Sequence, residues 1–482
     1  MSTTTAVTAE PFSLAGDGLP LTISMAAEAL RSGSLTSVEL VQKTIARADR
    51  LDTALGTYLA RTDQTALEAA ARADAELAAG HDRGPLHGIP LGIKDIIATD
   101  EAPTTAQSLI LDPAFGEKGD AVVIRRLKAA GVVITGKTTT MEYATGCPDP
   151  DKPFPIPRNP FDLDAWPGGS SSGTGSGVAA GMFLGGLGTD TGGSVRMPAA
   201  WCGISGLKQT FGRVPKSGCV PLGFSYDHIG PMARSARDCA AMLQVMAGHD
   251  ESDACSVDVP VDDYLGALTG SVEGLRVGVD VSVFDHPGLD PDTAALLRSA
   301  VDVFTALGAT VVETVLPWQE ELTTAVLASS AEALAYHHGD LRTRWEDYGA
   351  STRMAIGRAA LTTAADFVQA QRVRRVGVTA MAELFGRVDV VLTPTCYTGA
   401  PDVATLDWAT MFRMINTPYW NAVGNPAISV PMGLTGTGLP VGLQIAGRPF
   451  DEATVLRAAD AFQQRTGHHL QESPIVLKEL SA

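Results

Sequence analysis

Two glycine pairs, each followed directly by serine, constrain this chain more than any other feature. They are Gly168-Gly169-Ser170 and Gly192-Gly193-Ser194, inside a glycine- and serine-rich stretch that runs from residue 167 to 210. A glycine pair before a serine permits backbone angles that other residues resist and lets main-chain N–H groups face a cavity. Linkers are also rich in glycine and serine, but a linker has no reason to carry Val178, Met182, Phe183, Leu184 and Leu187. The stretch therefore reads as buried, ordered structure built around two hydroxyls.

A serine needs a base, and the surrounding chain supplies one in an unusual form. Of the histidines, only His87 and His228 border the stretch, and neither sits in a G-x-S-x-G elbow or an H-E-x-x-H helix. The cysteines at 147, 202, 219, 239, 255 and 396 show no CxxC spacing, so they read as small, reduced core residues, and no metal site or cofactor is expected. What remains is Lys94, in the middle of the apolar run 89–97. Lysine is seldom buried, and a desolvated amine loses enough basicity to act as a base near neutral pH. The competing reading is a strand-end lysine that reaches solvent. Aliphatic residues on both sides of Lys94 favour burial, and a Ser-Lys variant of triad logic follows, with a second serine between amine and nucleophile.

Hydrophobic periodicity gives the frame. Thr36 to Glu39 reads as a capping box opening a helix through Ala48, and a second helix is expected over 64–79. Strands are expected at 132–136 and 184–189, with residues from Lys137 onward as a turn and short helix. A helix beginning near Ser194 would place that hydroxyl at the positive end of its dipole. From 236 to 315 helix and strand alternate, two helical stretches follow at 320–338 and 351–385, and strands return at 388–392, 427–432 and 441–445 before a last helix over 451–464. This order predicts an α/β fold: a single large domain over 1–482 with a central mixed β-sheet covered by helices on both faces. Residues 1–20 are expected as a flexible N-terminus, and 320–385 as a helical insertion lining or capping the site.

Composition narrows the partners. A net charge of −18 over 482 residues disfavours a nucleic-acid groove or an anionic membrane as the direct partner. The first residues lack a basic, apolar leader and no run approaches a membrane span, so a cytoplasmic protein is expected, with a homodimer left open.

The ordered segments Gly92-Ile93-Lys94-Asp95, Arg158-Asn159-Pro160, Gly168 to Gly173 and Gly188 to Arg196 carry a family resemblance. Pro198, Gly206-Leu207-Lys208, Ile229 to Arg234, Asn425-Pro426 and Gly442-Leu443-Gln444 extend it. Across residues 20 to 470 the chain resembles the amidase signature family of serine hydrolases. The resemblance implies Ser194 as nucleophile, Ser170 on a cis peptide bond as proton relay, and Lys94 as general base. It implies an oxyanion hole from the backbone N–H groups of Thr191, Gly192, Gly193 and Ser194, at both of whose glycines a side chain would be poorly tolerated. Ser171, Asp190 and Arg196 are implied as residues that fix the serines, and Tyr143, Ala144 and Thr145 as a segment bordering substrate. The implied activity is hydrolysis of small-molecule amides through an acyl-enzyme, with carbamates, hydrazides, anilides and esters as further substrates. The alternatives are a glutaminase-type amidotransferase component that supplies ammonia for aminoacyl-tRNA, faintly suggested by residues 141–146, and a non-catalytic binding protein on the same fold.

Overall fold

A computed structural model describes residues 17–117 and 119–480. Residues 1–16, most of the segment expected to be flexible, lie outside them, whereas Asp17 pairs with Arg47 at 2.7 Å and Leu19 is buried. Among the described residues no helix is long and apolar enough to cross a membrane.

The strands are β1 (Tyr58–Arg61), β2 (Pro90–Lys94), β3 (Val133–Thr138), β4 (Gly185–Asp190), β5 (Ser205–Lys208), β6 (His228–Ala233), β7 (Arg276–Asp280), β8 (Thr310–Thr314), β9 (Val390–Pro394), β10 (Ala427–Leu434) and β11 (Pro440–Gly447). They form one sheet in the order β1-β3-β2-β4-β6-β5-β10-β11-β9-β7-β8. The sheet is mixed: β2 runs parallel to β3 and β4, and β7 to β8 and β9, while the central strands pair antiparallel. Helices flank it, giving a single α/β domain.

Local signals account for several boundaries. Thr36 and Glu39 form the expected reciprocal cap, and the helix it opens, Ser37–Leu55, runs to Gly56 in the left-handed conformation, past the expected end at Ala48. Strand β3 extends through Lys137 to Thr138, so the turn expected to begin at Lys137 starts later, and only Glu142–Ala144 is helical. Two-sided burial made this a continuous strand: every residue of β2, β3 and β4 is buried.

This parallel trio positions the site. Because β2, β3 and β4 point the same way, their carboxyl ends share one edge, the place where open α/β sheets present their binding crevice. Lys94 ends β2, the segment 142–146 follows β3, and the 190–194 loop follows β4.

Candidate active site

Lys94 is fully buried, and its Nζ donates to Ser170 Oγ at 2.7 Å, Thr189 Oγ1 at 2.8 Å and Ser171 Oγ at 3.1 Å. No carboxylate of a described residue forms a salt bridge with it. Burial pushes its pKa down from 10.5 to about 7 against the more distant charges of Asp190 and Asp227. Three hydroxyls suit a neutral amine, because a hydroxyl can donate to the lone pair as readily as it accepts an N–H. A carboxylate could only accept.

The Gly169–Ser170 peptide bond is cis. Ser170 is buried, and its carbonyl accepts from Thr140 Oγ1 at 2.8 Å and Met141 N at 3.2 Å. A Cβ on Gly169 would lie 2.6 Å from Met141 Sδ and from the Trp166 ring, so only glycine fits there. Ser171 ties the two serine loops together: its N–H donates to the Ser194 carbonyl at 3.2 Å and its hydroxyl to the Thr189 carbonyl at 3.3 Å. Ser194 itself lines the cavity. Among the described residues no hydrogen bond joins its hydroxyl to that of Ser170, so the amine and the first serine are in contact while the second link is open. Such contacts commonly tighten only when substrate binds.

The loop after β4 is held from beneath by Asp190, whose carboxylate forms a two-point pair with Arg196 at 2.9 and 3.0 Å. Burial opposes its charge, yet Arg196, Lys208 and Asn421 hold the carboxyl well below the usual carboxylate range. Asp190 also accepts from the N–H groups of Gly193 at 2.8 Å and Val195 at 3.3 Å. One member of the expected oxyanion set therefore has a partner outside the cavity. The Gly193 N–H is committed to Asp190, whereas those of Thr191, Gly192 and Ser194 have no acceptor among the described residues, and all three of these residues line the cavity. The two glycines also separate. Gly193 has φ +131° and a Cβ there would fall 1.9 Å from Thr417 Oγ1; a Cβ on Gly192 would meet only Val326 at 3.7 Å. Crowding thus requires glycine at 193 alone. The helix expected at Ser194 starts at Arg196 and spans only Arg196–Trp201, and Asp190 accepts from its first N–H, so its dipole adds little at Ser194.

Of the segment expected to border substrate, Ala144 and Thr145 line the cavity. Tyr143 does not. Its backbone is left-handed at φ +48°, and its ring packs 4.3 Å from His337 and 6.2 Å from Tyr348. His228, the other histidine near the stretch, is buried with Nδ1 at 3.1 Å from the Asp190 carbonyl, and burial holds it well below its usual range.

Apart from Ser329 and Ser330 the remaining walls are apolar, Met141, Met197, Val326, Ile356, Trp408 and Phe412 among them; no charged residue lines this cavity, and Lys216, Asp227 and Asp253 line an adjoining one that shares Ala144, Thr191 and Leu222 with it. Val326, Ser330 and Ile356 come from the 320–385 region, Trp408 and Met411 from the short helix Trp408–Met411. Sequence reasoning assigned no role to Thr189, Thr417, Asn421 or Trp408. Thr189 lies inside the Gly188 to Arg196 segment and was within reach; the others gave no local signal.

Ser194 thus lines a cavity at the carboxyl ends of parallel strands, and the comparisons with known proteins make the chain an enzyme acting on C–N bonds. The chain belongs to the amidase family, whose model matches residues 39–456. One subunit of the glutamyl-tRNA(Gln) amidotransferase of Geobacter metallireducens is 40% identical, over 94% of this chain and 99% of its own length. The native peptide amidase of Stenotrophomonas maltophilia superposes with a TM-score of 0.80 at 30% identity, covering 92% of this chain and 97% of that one. A chain from a vestigial protein complex tied to the origins of an s-triazine catabolic enzyme gives 0.86 at 29% identity, covering 92% and 98%.

Proposed function

We propose that this chain is a serine amidase that hydrolyses small neutral amides bearing an apolar group. The single observation carrying the substrate class is the cavity wall, which holds no charged side chain. An ionic substrate would be desolvated there without a counter-charge, at a cost of several kcal/mol. Apolar acyl or aryl groups fit against Met141, Trp408 and Phe412.

In this reading Ser194 Oγ attacks the amide carbonyl while its proton passes to Ser170 and the proton of Ser170 passes to neutral Lys94. The oxygen that becomes negative is met by the N–H groups of Thr191, Gly192 and Ser194, each such donor being worth about 3 kcal/mol of barrier. The proton then returns through Ser170 to the leaving nitrogen, and water attacks the acyl-enzyme along the same path. Asp190 and Arg196 keep the loop in place but do not touch the reacting atoms.

The second reading, a glutaminase component of an amidotransferase, draws on the 40% identity to the Geobacter protein. Free glutamine carries an α-ammonium and an α-carboxylate, and the wall of the cavity that Ser194 lines offers neither a partner, the nearby charges of Lys216, Asp227 and Asp253 lying in the adjoining cavity. Another protein chain would have to complete the site.

A hydrolysis panel of neutral aliphatic, aryl and anilide amides together with glutamine separates the readings. The expected result is turnover of apolar amides by the isolated chain, loss of turnover in Ser194→Ala, and labelling by a fluorophosphonate probe only when Ser194 is present. Glutamine hydrolysis appearing only with tRNA and a partner protein would replace the amidase reading with the second one.

A further inference from the structure

Thr191, Gly192 and Ser194, whose N–H groups are free among the described residues, line the cavity from a loop that is tethered at several points. Asp190 holds Gly193 N, and Thr417 Oγ1 donates to the Gly192 carbonyl at 2.7 Å. Thr191 is tethered differently, through its side chain: Thr191 Oγ1 donates to Asp227 Oδ1 at 2.5 Å. Asp227 also accepts from Leu222 N at 3.0 Å and from Gly223 N at 3.0 Å. It forms no salt bridge among the described residues, and it sits in the turn just before β6. Among the described residues its other hydrogen bonds come from backbone, so Thr191, which lines the cavity, is its one side-chain hydrogen-bond partner there.

We propose that Asp227 is a positioning residue for the oxyanion site, acting through the Thr191 hydroxyl to hold the Thr191 N–H toward the reacting carbonyl. This rests on the amidase reading and names a residue that reading does not use. Asparagine at 227 replaces one oxygen with a donor. Since the backbone N–H groups of Leu222 and Gly223 cannot turn to accept it, the new NH₂ is driven toward Thr191, whose hydroxyl must then accept from it, so the charge-assisted bond that fixed the threonine is exchanged for a weaker neutral one of reversed polarity. The same turn reaches the helical insertion, because Ser225 donates from Oγ to Glu332 at 2.6 Å and accepts from Arg374 at its carbonyl at 3.2 Å. Whatever fixes the turn against those helices therefore also fixes Thr191.

A double-mutant cycle tests the inference. Asp227→Asn, Thr191→Val and the double variant are compared for kcat and KM on the best amide, for the rate at which a fluorophosphonate labels Ser194 with loss of fluoride, and for melting temperature. Each single variant is expected to lose about 10- to 100-fold in kcat and in labelling rate with KM nearly unchanged, the size of a weakened oxyanion donor. The double variant is expected to be no slower than the slower single one, and Thr191→Ser, which keeps the hydroxyl, to retain most activity. Additive losses, or an Asp227→Asn protein at wild-type rate, would overturn it. Thr191→Ser as slow as Thr191→Val would do the same. If wild type is labelled but hydrolyses no amide, the substrate reading fails and the labelling rates still decide the role of Asp227. If Ser194 is not labelled at all, the oxyanion site and the inference fall together.

Discussion

Lys94 and Lys137 sit on adjacent parallel strands and are both fully buried, yet they live in different chemistry. The register pairs Ile93 with Lys137 and Lys94 with Thr138, so a one-residue offset sends the two amines to opposite faces of the sheet. Lys137 Nζ donates to the Ile97 carbonyl at 2.5 Å and to Thr104 Oγ1 at 2.6 Å, with Asp95 Oδ1 at 3.4 Å. That set favours an ammonium. Lys94 touches only hydroxyls. Burial lowers the pKa of both, but only at Lys137 does a contacting carboxylate push back. Burial alone does not make a lysine a base; its neighbours decide.

The largest effect should come from deleting the two amines in turn. Lys94→Ala is expected to cut kcat/KM by about 10³ or more while the protein stays folded. Lys137→Met should keep kcat within about tenfold but lose about 3–5 kcal/mol of stability, because Asp95 is left buried without its counter-charge. Steady-state kinetics with thermal melts on both variants would break the comparison if the pattern reversed.

Next in size is the pH response. Because the Lys94 pKa is lowered to about 7, the amine is neutral above that value and protonated below it, so amide turnover should fall about tenfold per unit as pH drops below 7. The unfolded chain keeps that proton up to about 10.5, so the contribution of this group to stability rises as pH climbs from about 7 to 10.5. His228 is held neutral well below its usual range and cannot provide the limb; His228→Gln should leave it in place. Comparing the pH-rate profiles of wild type and His228→Gln checks this.

The smallest effect sharpens the role of the hydroxyls. Thr189→Val removes one of the three around Lys94 and is expected to lower kcat by about tenfold or less, the loss of one buried hydrogen bond. A loss as large as that of Lys94→Ala would mean that Thr189 takes part in proton transfer.

Features whose cause is local were legible in the chain. The Thr36 and Glu39 cap depends on four consecutive residues, and the apolar run around Lys94 shows burial directly. The glycine pairs drew the eye to both serines. Illegible were contacts made across the fold: Thr417 on the Gly192 carbonyl, Asn421 on Asp190 at 2.8 Å, and the turn of Tyr143 away from the cavity into an aromatic cluster. Nor could the repeated Gly-Gly-Ser pattern reveal that one N–H of the second loop was already taken.

By itself, then, the sequence determined the mixed α/β frame and the family and singled out the candidate reactive residues, because burial periodicity and glycine's backbone freedom are properties of short segments. Tertiary structure decided which hydroxyls surround the amine, which N–H groups remain free, and that the cavity beside Ser194 is walled by uncharged side chains. Those outcomes depend on strand register and on side chains brought together from more than two hundred residues apart, as Arg196 and Asn421 are, and no local pattern encodes that distance.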